Sequence, residues 1–266
     1  MVADVIYPRL IGARLRSQMA YRASFALDFV TQILAQWIEL VVILVLFGQV
    51  SALGGFTKNE VLLMYAIAGA GFGVADLFAG QLDNLPTYIR TGSFDVLLMR
   101  PLGTLPQIMV SDIRLRRVGR IVGALAVMVY ALTHVPVEWS PAKVALTIAA
   151  PIAAAVIFSS VWVVACSVCF WIIDGREFSN SVTYGSNAFT SYPINVYSRP
   201  LRWVMAYVVP GAFVAYYPSL ALLGKQDPLG LPGWVGWTSP LVAALAAGAA
   251  GLVWRFAVRH YRGTGS

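Results

Sequence analysis

Apolar residues in this chain come in long blocks, at 25–49, 61–80, 118–133, 144–173 and 241–258, and one long polar break separates the second block from the third. A helix needs about 20 apolar residues to cross a hydrocarbon core, so each block predicts a membrane span. The third is short, and the fourth is overlong and holds Pro151, which predicts tilt or a kink. Residues 177–223 admit two readings. Either the apolar part, 203–223, is the fifth span, or 178–194 forms a short, polar fifth span and 195–223 turns back from the outer face as a re-entrant hairpin. Pro193, Pro200, Pro210 and Pro218 favour broken helices there, which membranes tolerate only where protein packs against them.

Composition agrees with the pattern. The 266 residues are 59% hydrophobic and 12% charged, against about 25% charged for a soluble domain. The fold class expected is all-α: a polytopic membrane protein of six transmembrane helices with both termini cytoplasmic. Charge sets the orientation. With either fifth span, fourteen of the sixteen arginines and none of the three lysines fall on one side, which the positive-inside rule assigns to the cytoplasm. Arg199 and Arg202 move with the choice of fifth span. The same distribution accounts for the net charge of +7 without a nucleic-acid partner.

The N-terminus does not read as a cleaved signal peptide, because arginines recur through Arg22 with no cleavage site after a short apolar stretch. Tyr7, Ile11, Leu15 and Met19 share a helical face opposite Arg9 and Arg16, which predicts an interfacial helix over residues 5–22. Cys166 and Cys169 form C-x-x-C inside an apolar block, where thiols act as small hydrophobes.

The polar break, 81–120, carries six arginines, yet keeps Tyr88, Ile89, Phe94, Leu97 and Leu98 at helical spacing. A solvated loop has no use for these; half-buried helices at the membrane face do. Asn84 is a candidate helix cap, Pro86 suits a first turn and Gly92 a helix end. A second short helix is expected from Phe94 to Arg100, ending at Pro101. The result is a bent, basic knob at the cytoplasmic face, which serves either to rest on headgroups or to dock a protein.

The string IRTGSFDVLLMRPLG (89–103) resembles the region between the second and third spans of ABC transporter permeases of the ABC-2 (type V exporter-like) class. The similarity is to a six-span bacterial subfamily often encoded as paired permeases beside an ATPase. YPINVYSRPLRWVMAYVVP (192–210) is more loosely similar to that class's outer segment after the fifth span, with Tyr192-Pro193 and Arg199-Pro200 standing for its Phe-Pro and Leu-Pro pairs. The ending WRFAVRHYRGTGS is similar to the subfamily's tail. The resemblance covers most of the chain from about Asp83 onward.

It implies an elbow helix, a coupling region at 82–101, a re-entrant outer segment at 195–223 and the short polar fifth span. It also implies that Tyr88, Arg90, Gly92, Phe94, Asp95, Arg100 and Pro101 contact or shape the coupling site for an ATPase. The partners implied are two ABC ATPase subunits holding ATP and Mg, and a second permease, a related chain or else a copy of this one. The place implied is the bacterial plasma membrane, and the cargo a small amphipathic or hydrophobic molecule moved outward. This chain itself has no G-x-x-x-x-G-K-[ST], H-E-x-x-H or G-x-S-x-G and no acidic metal cluster. No enzyme activity and no cofactor are expected of it.

Inside the blocks, Asp28, Gln32, Gln36 and Glu39 occupy an arc of about 80° on the first span. An ionised carboxylate at mid-span costs roughly 2.5–3.5 kcal/mol, so this stripe faces protein or water. It lines a translocation path or it hydrogen-bonds the bundle together. Tyr184, Asn187 and Thr190 mark one face of the short fifth span with the same two roles open. Asp76 is expected to pair with a loop arginine. Arg117 and Arg120 are expected to snorkel from the inner end of the third span. Gly69 and Gly73 predict close helix packing, within or between subunits. The alternative function is an ion-coupled secondary transporter with Asp28 or Glu39 as proton carrier; a lipid-modifying enzyme would need a clustered site that is not visible.

Overall fold

The computed structural model describes residues 22–111, 117–172 and 175–261. The expected interfacial helix over 5–22 and the basic tail beyond Tyr261 lie outside these residues, and so does the side chain of Asp28.

The regular structure among the described residues is helical, apart from one isolated bridge. Helix α1 is Arg22–Gln49 and α2 is Lys58–Ala79. A tighter turn, Gly80–Asn84, leads into the short helices α3, Leu85–Arg90, α4, Ser93–Leu98, and α5, Thr104–Met109. Then come α6, Val118–His134, α7, Pro141–Ser167, and α8, Arg176–Thr190. The chain continues as α9, Arg199–Trp203, α10, Tyr216–Leu223, and α11, Ser239–Arg259. Among the described residues, four helices are long and apolar enough to cross a membrane: Val30–Gln49, Lys58–Arg90, Pro141–Phe170 and Ser239–Arg259. The apolar α6 is shorter, and Arg199–Val208 with Gly211–Leu223 forms a pair bent by 71° rather than one rod.

Helix α2 is the hub. It packs on α6, α7 and α8, and its wall is mostly buried, whereas α1 and α11 leave most of theirs uncovered. Small residues let the backbones close up. A Cβ on Gly71 would sit 2.4 Å from the Ala154 Cβ on α7, and one on Gly73 would sit 2.8 Å from Ile121 on α6. The Gly69 and Gly73 pair therefore serves contacts within this subunit, both toward α6. Around this seam Phe72 stacks with Phe158, Trp162 and Tyr184 at ring-centroid distances of 5.2–5.6 Å.

Helix α7 begins with Ser140 accepting from the Lys143 N–H and with Pro141 in its first turn. It passes through Pro151 as a single helix. Helix α8 is polar and only 15 residues long, about 22 Å at 1.5 Å per residue. Its hydroxyls are satisfied internally: Ser179, Thr183, Ser186 and Ser191 donate to carbonyls four residues back. Ser179 Oγ also lies 3.0 Å from the Ala165 carbonyl oxygen on α7. That bonding lets serine and threonine sit in an apolar bundle without orphaned donors.

At the opposite end from α3, the α1–α2 connection turns on Gly54 and Gly55, both with positive φ (60° and 87°), between Leu53 and Phe56, which exchange backbone hydrogen bonds. Asn195 Nδ2 donates to the Gly54 carbonyl (2.7 Å) and Lys225 Nζ to that of Gly55 (3.3 Å). Lys225 also pairs with Glu60 at 2.7 Å, and the Glu60 carboxylate accepts the Thr57 N–H.

Close packing at the hub predicts asymmetric glycine tolerance. Gly71→Leu overpacks the seam and should cost about 1–3 kcal/mol or more, seen as a lower melting temperature in detergent. Gly48→Ala, where a Cβ meets nothing within 4 Å, should not lower it. Equal melting of the two variants would contradict the seam.

Candidate functional site

Two regions carry the polar chemistry: the knob at 82–111 and a cleft between α1, α2, α6 and α8. The knob is not a separate loop. Helix α2 runs through the Gly80–Asn84 turn into α3, a 33-residue helical stretch from Lys58 to Arg90, about 50 Å long. The bend falls at Gly92, whose φ of +69° disfavours any side chain, and α4 follows directly. Pro86 lies in the first turn of α3 as expected. Asn84 does not cap; its amide donates instead to Gln81 Oε1 at 3.2 Å. The second helix is shorter than expected, closing at Leu98 rather than Arg100.

Phe94 is fully buried. Its ring meets Phe170, at the end of α7, and Tyr261, after α11, edge-on at 5.2 and 4.9 Å. Phe170 in turn meets Trp254 at 5.4 Å, and the Trp254 indole donates to Thr104 Oγ1. Asp95 is half-buried on the same side; burial and the Asp95 carboxylate push the Tyr261 phenol above its ordinary range. Gln107 Nε2 closes the knob by donating to the Leu97 and Leu102 carbonyls, both at 3.0 Å. Tyr88 is half-buried with its hydroxyl 3.5 Å from Ser111 Oγ. Ile89 is buried and Leu97 half-buried, but Leu98 faces outward, unlike the expectation for it. The exposed face thus presents Arg90, Val96, Leu98, Met99, Arg100 and Pro101, with Met99 77% exposed.

Above the knob sits the Asp76–Arg117 ion pair, Nε to Oδ2 at 3.1 Å and nearly buried; the guanidinium also donates to the Asp76 carbonyl. Gly80 makes room for it, since a Cβ there would lie 2.4 Å from Asp76 Oδ1. Asp76 pairs with an arginine as expected. Arg117 and Arg120 each have a carboxylate partner within the bundle. Arg120 lies over the Phe72 ring at 4.6 Å and reaches Glu39 Oε1 at 3.5 Å.

Glu39, Tyr184 and Asn187 converge on a cleft of about 270 Å³ that Tyr65, Arg120, Ser191 and Tyr192 also line. The other candidates do not join it. Gln36 is 7% exposed and bonds α1 to α6: with its amide oriented to satisfy both atoms, it donates to the Arg120 carbonyl (2.8 Å) and accepts from the Ala124 N–H (3.2 Å). It lines a separate apolar groove on α1 and α6. Thr190 is buried against Gly211, its hydroxyl donating to the Asn187 carbonyl. Gln32 is half-buried on α1 away from both. Sequence reasoning missed Tyr65 and the role of Arg120; the available sign was a guanidinium set one turn into an apolar helix.

The aromatic anchor predicts a local defect. Phe94→Ala should cost about 3–5 kcal/mol of packing and speed tryptic cleavage after Arg90 while the helix content of the bundle persists. Unchanged cleavage would mean that the knob is held otherwise.

No curated protein and no solved structure matches the sequence. A family model described as ABC-2 family transporter protein matches residues 33–265, which takes in both the knob and the cleft. This multi-pass membrane chain belongs to the ABC-2 transporter family, whose permeases are the membrane component served by an ATPase.

Proposed function

We propose that this chain is a permease subunit of an ATP-driven exporter in a bacterial plasma membrane, moving a small amphipathic molecule outward. Six spans with both termini inside fit the elements: α1, α2, α6, α7, α8 and α11 cross, and the bent α9–α10 pair dips back from the outer face. ATP and Mg belong to two ATPase subunits, and a second permease, a related chain, covers part of the bare flanks of α1 and α11.

The observation that carries this reading is the unbroken path from the hub helix into the knob. An ATPase that grips Arg90, Val96, Leu98, Met99, Arg100 and Pro101 holds the end of α2 itself. Phe94 locks the same piece to the ends of α7 and α11, so a displacement of the knob is delivered to three helices at once. Nucleotide must change which knob position the ATPase prefers, and moving a two-state equilibrium from 1:99 to 99:1 takes about 5.5 kcal/mol of such preference.

Glu39 gives the path its place. Its side chain is 46% exposed near mid-span, a position that suits water or a partner subunit and not lipid. With Tyr184 and Asn187 it forms the polar wall along which cargo passes.

Met99→Asp and Arg90→Glu, both on the exposed face, should each lower substrate-stimulated ATP hydrolysis of the reconstituted complex about tenfold or more while insertion is unchanged. Gly92→Pro should do the same by forcing φ toward −65°. Full coupling in all three would sink the docking role. Transport that survives ATP depletion and collapses with an uncoupler would put an ion-coupled carrier in its place.

A further inference from the structure

The intramembrane cleft has a specific chemical demand. Its two charges are opposite and only loosely joined: Arg120 reaches Glu39 at 3.5 Å and the Tyr65 hydroxyl reaches the other carboxylate oxygen at 3.4 Å. Charge-assisted bonds are shorter, about 2.7–2.9 Å from a guanidinium and 2.5–2.7 Å from a hydroxyl, and the Tyr65 hydroxyl lies nearer the Gln36 carbonyl, at 3.2 Å, so the Glu39 carboxylate and Arg120 have capacity left. Asn187 adds a second acceptor. The residue is 7% exposed, it lines the cleft, and its Oδ1 has no hydrogen-bond partner. Buried polar atoms are rarely left so.

We infer that this cleft binds a zwitterionic headgroup, an ammonium N–H donor joined to an acidic group, carried on an apolar tail. The ammonium replaces Arg120 against Glu39 and, with a turn of the Asn187 side chain that brings its covered Oδ1 to the cleft, donates to that atom. The acidic group replaces Glu39 against Arg120, whose guanidinium stays over Phe72. Exchange of this kind keeps the cleft neutral. A lone cation or lone anion would leave one charge of this half-open site without its partner, which is disfavoured.

Size sets the rest. A cleft of about 270 Å³ falls below the range of sites that enclose a drug-sized molecule, so it takes the head alone. The tail lies outside, along the flank of α1 where Ile38, Val42 and Val45 are exposed beside Glu39. This assignment rests on the reading of the cleft as part of the transport path.

The test is equilibrium dialysis of the intact complex in nanodiscs with four labelled probes: N-dodecyltaurine, dodecylamine, dodecanesulfonate and taurine. N-dodecyltaurine should bind about tenfold or more tighter than either single-charge amphiphile. Glu39→Gln should shift the preference to dodecanesulfonate and Arg120→Gln to dodecylamine, a reciprocal switch that a packing role does not produce. If those variants do not assemble, Asn187→Leu decides: it should weaken N-dodecyltaurine and dodecylamine and spare dodecanesulfonate. Equal affinity for all three amphiphiles, or no change in Asn187→Leu, overturns the site. Taurine binding as tightly as its dodecyl form overturns the assignment to an amphiphile. Charge-selective binding with no ATP-driven movement of the probe would remove the transport reading and leave the site; ATP-driven movement without charge selectivity would do the reverse.

Discussion

The bundle depends on how closely α2 can approach its neighbours. Glycines at 71 and 73 place bare backbone where α7 and α6 cross, leaving no room for a methyl group at either contact. In a bilayer, helices gain little from hiding apolar surface, since lipid is as apolar as they are; association comes from tight van der Waals fit and interhelical polar bonds. The glycine seam supplies the first of these. Gln36 supplies the second by reaching the α6 backbone beside Gly123, where a Cβ would lie 2.9 Å from its side-chain amide.

The two ion pairs differ in kind. Asp76 and Arg117 are nearly dry, sit in a pocket shaped by Gly80 and fix where α6 begins against α2. Removing one partner of such a pair is costly because it strands the other charge, although the pair itself adds little net stability. Glu39 and Arg120 are longer and wetter, so their contact can be exchanged for another at small cost. One pair holds the architecture still, and the other leaves a charged surface open for use.

Much of this was legible in the chain. The blocks behind α1, α2, α6, α7 and α11 mark helices that the structure starts and ends within a few residues of the expected points, because an apolar run is a local property. The bend at Gly92 was legible for the same reason: a single residue with no side chain determines it. The failures are long-range. Asn84 has the chemistry of a cap, but Gln81 takes its amide. Leu98 shares a helical pattern with Leu97, yet α4 is too short to bury both. The partners of Arg120, Phe72 and Glu39, approach it from other helices, which its own stretch of sequence does not reveal. Helix α8 escapes a hydropathy reading because its serines and threonines count as polar, although their hydroxyls bond back along their own helix.

The ring of contacts around Gly54 and Gly55 has a mechanical consequence. Asn195 holds one carbonyl of that turn from the end of α8, Lys225 holds the other from beyond α10, and Lys225 is itself fastened to the first turn of α2. Three segments far apart in sequence, 54–60, Asn195 and Lys225, are thereby joined at this end of the molecule. Segments joined in this way can be carried or tipped as a unit, but do not slide past each other while these contacts hold. Any tilt of α2 would therefore reach Asn195 and Lys225 through the Gly54-Gly55 turn and Glu60.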